Sequence, residues 1–288
     1  MTGSRKQPWS SYRRDPKSLV LLISVCLAAF LTLLALTFII AYILIKGIPH
    51  LKPDLFDSQY TTENVSLLPA LVNTLSITLL SLLFAVPVGI GAAVYLAEYA
   101  RRGNKLIYVV GITVETLSGI PSIVYGLFGS LFFVKYLGFG LSLLSGSLTL
   151  SIMILPLILR TTEEALRSVP DSYREGSLGL GAGKLRTVFS VVLPCAVPGI
   201  LSGVVLGIGR IVGESAALIF TAGTVAKIAT DVFSSARTLS VHMYSISGEG
   251  LYLNQTYATA VILLVVVILI NGLSGFAAKK IGGKKTDG

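Results

Sequence analysis

The stretch "EGSLGLGAGKLRTVFSVVLP" runs from Glu175 to Pro194. It is amphipathic and mixed in charge, and it separates two strongly apolar segments. Just before it, "PDSYRE" gives a helix start, since Asp171 or Ser172 can cap and Glu175 falls three or four residues later. "GLGAG" breaks that helix, and "KLRTVFSVVLP" predicts a second short one with an apolar face. A helix, a glycine turn and a helix showing both charge and apolar groups form a surface suited to docking on another body. "GAGK" does not make a phosphate loop. That motif needs glycine where Leu178 stands and a hydroxyl where Leu185 stands, after a strand.

Working outward, the chain of 288 residues has a mean hydropathy of +0.81, with 53% apolar and 13% charged residues. Soluble domains average about 25% charged, so the composition is that of an integral membrane protein. Leu19–Ile45 holds no charge over 27 residues. About 20 apolar residues cross a bilayer, and a signal-peptide core is only about 7–15 long. No small-residue cleavage site follows, so this is expected to be a retained first transmembrane helix.

Five more spans are expected at about 67–96, 106–134, 141–159, 197–220 and 258–276, with a cytoplasmic loop at 160–196. Pro87, Pro121 and Pro156 fall inside spans, where neighbours can re-satisfy the freed backbone groups. No internal repeat is visible. The expected architecture is all-α with six transmembrane helices: a basic N-terminus (1–18), a first helix (19–45) appended to one membrane domain (67–278), and a basic tail (279–288).

The basic residues sort by side. Those of the N-terminus, of the loops after spans two and four, and of the tail number 17, against 5 on the other side. Lysine and arginine accumulate in the cytoplasm, so the protein is expected to be multi-pass in the cell membrane with both termini cytoplasmic. The net charge of +9 is then topological, and no nucleic-acid partner is expected. Cys26, Cys195, His50 and His242 are isolated, without metal-ligand spacing.

The docking loop carries a resemblance. Glu175, Gly176 and Ser177, then Gly181, then Val191, Leu193 and Pro194 follow the spacing E-A-A-x3-G-x9-I-x-L-P of ABC-transporter permeases of the importer type. Gly-Ser stands for the alanine pair and valine for isoleucine. "GIPSIVYGLFG" (119–129) and "GIGRIVGESAALIFTAG" (207–223) further resemble phosphate-specific permeases, nearest to the PstA-type subunit. The resemblance covers about Leu67 to Ala278. It implies a type I importer core (MetI-like) with an extra N-terminal helix. It implies that the loop is the coupling element seated on an ATPase. The implied partners are a second permease subunit, a dimer of ATP-binding subunits, an external phosphate-binding protein, and lipid. ATP and Mg would be bound by the ATPase, and this chain would hold no cofactor and no catalytic site.

The residues of the fifth span add their own argument. Gly199, Gly203, Gly207, Arg210 and Glu214 are spaced to share one helical face. Small residues every fourth position let a second helix approach closely. Arg210 and Glu214 would then face protein or a cavity. Two readings stand: a structural ion pair, or an anion site on the permeation path. Arginine's planar fork suits phosphate oxygens. Glu214 can accept a proton-bearing phosphate and repel sulfate, which carries no proton. Glu115 is a second intramembrane acid, expected either to pair with an arginine of a partner or to line the cavity. Ser118, Ser122 and Ser215 are candidate donors, and Ser215 lies beside Glu214. Permeases for other oxyanions such as sulfate or molybdate fit the loop equally. A self-contained secondary transporter is the alternative from another class, and it would have no use for a docking loop.

Overall fold

The computed structural model describes residues 16–100 and 105–283, and every regular element among them is helical. The expected basic N-terminus up to residue 15, the loop residues Arg101 and Arg102, and the tail beyond Gly283 lie outside the described residues. Helix α1 covers Pro16–Gly47 and α2 covers Leu68–Val94, continued by a π turn at Tyr95–Tyr99. Helix α3 is Lys105–Ser118, and α4 is Ser122–Gly129, continued by a π segment at Ser130–Tyr136. Helix α5 is Leu143–Arg167, α6 is Asp171–Gly179, and α7 is Lys184–Thr187. A π turn at Val188–Val192 joins α7 to α8, Leu193–Val212. Helices α9 (Ala216–Thr221), α10 (Leu239–Glu249) and α11 (Leu253–Gly283) complete the chain.

Five helices are long and apolar enough to cross a membrane, and the pair α3–α4 makes the sixth, bent by 102°. Three spans differ from the hydropathy expectation. The third is not one rod but breaks at Gly119–Pro121. Pro121 has no N–H to return to Leu117, so the chain tightens, with Gly119 N bonding Thr116 O and Ile120 N bonding Leu117 O. The fourth runs on to Arg167, because Thr161–Leu166 is helix-forming although it is polar. The fifth begins at Lys184, so the two short helical stretches of the loop are α6 and the start of a long α7–α8 rod. Asp171 is the first residue of α6 rather than its cap, and Pro170 holds the cap position. The glycine break is as expected: Gly181 takes φ +85°, which costs glycine little.

Helix α5 forms the centre. Its apolar window is 67% buried, against 0% for that of α1. It carries Leu150, Ile154 and Ile158 into a core shared with α2, α4, α8 and α9. Helix α1 leans chiefly on α11, where Gly47 meets the Tyr257 backbone and Tyr42 Oη lies 3.4 Å from Tyr257 Oη. The glycine stripe of α8 faces α5. A Cβ at Gly199 would lie 2.6 Å from Ala165 Cβ, one at Gly203 would collide with Thr161 Oγ1, and one at Gly207 would sit 3.8 Å from Ile154. The expected small-residue packing is therefore real, and its partner is α5.

The connections gather at two ends. At one end, buried Asn73 of α2 clamps residues 227–237: its Nδ2 donates to Lys227 O (2.8 Å) and Arg237 O (3.2 Å), and its Oδ1 accepts from Ala229 N (3.0 Å). Leu143 N and Leu144 N donate to Ser234 O and Val232 O at the same end. At the other end, the π turn at Tyr95–Tyr99 meets α6 and the start of α7.

Candidate functional site

Two broken rods meet in the interior. Helix α8 stops at Val212, with Gly213 as its cap, and α9 restarts at Ala216. Helix α4 restarts after Pro121 and packs on α9, where a Cβ at Gly126 would come within 2.8 Å of Ala217 Cα. Gly129 likewise faces Thr149 and Thr221, and Gly146 faces Ala222. The small residues of "SIVYGLFG" thus serve close packing. Tyr125 repairs the proline break. Its hydroxyl donates to Leu117 O at 2.7 Å, the carbonyl that Pro121 cannot serve, and its ring is 5% exposed.

Arg210 stands in the last turn of α8, exposed, with neither an ion pair nor a hydrogen bond to any described residue. It lies three residues before Gly213, at the break after which the chain resumes as α9, the helix that packs on α4. The expected Arg210–Glu214 pair is not made. Gly213 ends the helix between them, and Glu214 turns the other way: its Oε1 accepts from Ala217 N at 3.2 Å. A carboxylate at a helix N-terminus satisfies an orphan N–H and meets the positive end of the dipole. Ser240 of α10 donates its hydroxyl to Glu214 O, locking the break from outside. Ser215 holds the cap position of α9 without a side-chain capping bond. Ser118 bonds its own backbone at Val114 O (2.9 Å).

Glu115 meets an arginine of its own chain rather than a partner's: its Oε2 lies 3.5 Å from Arg160 Nη2. Arg160, expected in the loop, projects from α5 instead. It lines a cavity of about 290 Å³ between α3 and α5 with Glu163, Glu164 and Arg167. Glu115 therefore stands apart from the Arg210 junction and belongs to the charged end of α5.

The loop residues occupy the far end. Glu175, Gly176, Ser177 and Gly181 lie on α6 or its glycine turn, and no residue of α6 is buried. Ser177 Oγ and Thr187 Oγ1 are 2.9 Å apart, tying α6 to α7. Val191 lies in the π turn and Leu193–Pro194 open α8. Sequence reasoning missed the strongest bond of this end: Arg174 grips Glu98 of the α2 π turn at 2.7 Å. The partners stand 76 residues apart in sequence, and no local pattern announces such a pair.

A polytopic helical protein with two interrupted crossings, an unpaired intramembrane arginine at their junction and an exposed helical loop at one end is built as a transport subunit. The model of the binding-protein-dependent transport system inner membrane component family matches residues 85–283. YqgI of Bacillus subtilis, a probable ABC transporter permease, is 36% identical over 231 residues, covering 73% of this chain and 76% of its own. The phosphate transport system permease PstA of Xylella fastidiosa is 33% identical over 250 residues, covering 85% and 87%. Among solved structures, a bacterial alginate ABC transporter in complex with an alginate-bound periplasmic protein shares the fold. That match has a TM-score of 0.69 at 17% identity, over 96% of this chain and 99% of that one. The chain belongs to the binding-protein-dependent transport system inner membrane component family, and its fold is that of an ABC importer permease.

Proposed function

We propose that this permease carries inorganic phosphate inward, paired with a second permease subunit and driven by a cytoplasmic ATPase dimer that binds ATP and Mg. An external phosphate-binding protein delivers the anion to the end formed by residues 48–67 and 222–252. Both termini face the cytoplasm. The observation that carries the reading is Arg210. An isolated arginine inside a membrane costs about 2.5–3.5 kcal/mol on insertion scales, yet this one is exposed and unpaired. Such a group faces an aqueous path or a partner, not lipid. It sits where two crossings are broken, and broken helices mark substrate sites in other transporters. The relatives named as phosphate permeases favour phosphate over other oxyanions. The loop at Glu175–Pro194 is the coupling surface: ATPase closure presses α6, and the cavity switches access. Only an anion that binds the two states differently helps drive that switch.

The test is phosphate uptake by the assembled complex bearing Arg210→Gln. Loss of uptake to background with the ATPase still co-purifying supports the reading. Undiminished uptake removes Arg210 from the path, and loss of the ATPase makes it structural.

A further inference from the structure

We propose that Arg174 is a positioning residue that transmits the motion of α6 into the membrane helices through Glu98, an inference that rests on the coupling role given to the loop. Helix α6 buries no side chain of its own, so no apolar packing fixes its attitude. It lies beside the π turn at Val188–Val192, but beyond the Ser177–Thr187 contact its side-chain bonds to other elements among the described residues come from one guanidinium. Arg174 Nε donates to Glu98 Oε1 and Oε2 (3.2 and 3.3 Å), and Nη2 donates to Glu98 Oε1 (2.7 Å) and Leu166 O (2.8 Å). Nη1 donates to Val169 O (2.7 Å) and Asp171 Oδ1 (3.2 Å). Every N–H of the fork is thereby used. Three elements are joined at one point: the π turn that ends α2, the C-terminal end of α5, and α6.

The pair is enclosed as well as bonded, with Glu98 and Arg174 side chains only 7% and 19% exposed. An exposed ion pair is worth little, whereas an enclosed bidentate one resists being parted because each half would be left unpaired. The next residue along, Tyr99, lies under Lys184 Nζ at 5.1 Å, so residues 98 and 99 hold both arms of the loop. Between those arms lies the glycine turn, with Gly181 at φ +85°. The loop is therefore stiff where α6 meets α2 and α5, and pliable at the glycines. A push on α6 travels through Arg174 into α5, whose Ala165 and Thr161 pack against the α8 glycine stripe that leads to Arg210.

Lysine keeps the charge but not the fork. In the full complex reconstituted in vesicles, Arg174→Lys is expected to retain the ATPase subunit and its hydrolysis, while ATP consumed per anion imported rises about tenfold. Glu98→Gln, which leaves the carbonyl bonds of Arg174 in place, is expected to shift the same ratio in the same direction. In a background lacking Cys26 and Cys195, Glu98→Cys with Arg174→Cys is expected to regain the wild-type ratio when a short bifunctional thiol reagent bridges the two sites. A ratio unchanged by Arg174→Lys overturns the proposal. So does a parallel fall in hydrolysis and uptake, or a bridge that restores nothing. The inference stands on the ratio in the Arg174 and Glu98 variants, while the phosphate reading stands on phosphate uptake by the wild type and its loss in Arg210→Gln, so the two fail separately.

Discussion

A guanidinium inside a membrane has to be explained by what it faces. Arg210 lacks a counter-ion because Gly213 ends α8 and Glu214 caps α9 instead. That division gives Glu214 two separable jobs. Its Oε1 holds Ala217 N, and in the proposed function its charge would stand near the path. Glu214→Gln keeps an acceptor for the cap and removes the charge. Sulfate is then expected to compete about tenfold better against phosphate uptake, a change of about 1.4 kcal/mol, with folding unaltered. Unchanged sulfate inhibition would deny Glu214 any role in discrimination. Tyr125→Phe removes one hydroxyl from a buried contact and leaves Leu117 O served only by the 3.2 Å bond from Ile120 N. A cost of about 1–2 kcal/mol is expected, read as a lower thermal midpoint of the purified complex.

At the scale of elements, close approach between helices is what small residues supply here. Gly203→Val would drive a side chain into Thr161, which already spends its hydroxyl on Leu157 O (2.9 Å). The expected cost is about 1–3 kcal/mol, whereas Gly91→Val, which meets nothing within 4 Å, should leave the melting midpoint unmoved. Equal effects at both positions would refute the packing account. The spacing of Gly199, Gly203 and Gly207 made this face legible, as uncharged length made the crossings legible. Hydropathy stopped short on α5 because Arg160, Glu163 and Glu164 are polar, but polarity does not end a helix. The same charges hid the Glu115–Arg160 contact. Pro121 stood inside an expected span, yet a bend of 102° depends on Tyr125 and α9 packing against it, contacts that no local window contains. The Arg210–Glu214 spacing implied a pair on one helix, and it failed because a glycine between them allowed the helix to stop.

Across the whole molecule, charge and fold agree on two ends. Arg174 and Lys184 meet the α2 π turn, with Arg186 beside Lys184 on α7, while Lys52, Lys227 and Arg237 lie at the end clamped by Asn73. In a cysteine-free background, Lys227→Cys should react with an impermeant maleimide in intact cells, and Arg186→Cys only after permeabilisation. The reverse pattern would invert the orientation. The end clamped by Asn73 also holds a titratable fault. His242 is wholly buried, neither ring nitrogen has a hydrogen-bond partner of good geometry, and Tyr60 meets it edge-on at 6.0 Å. Burial, and then the charge of Arg237, push it down to about 4, against a weak opposing pull from the Val65 backbone. An unfolded histidine titrates near 6.5. Between those values the unfolded chain binds the proton that the native one refuses, so stability is complete above about pH 6.5 and falls as pH drops toward 4. The loss is on the order of 3 kcal/mol. Other groups titrate in the same window, so the readout is a difference. His242→Phe fills the site without a titrating nitrogen, and its thermal midpoint between pH 7 and 4.5 should fall less steeply than that of the wild type. Parallel curves would mean that this end opens without His242.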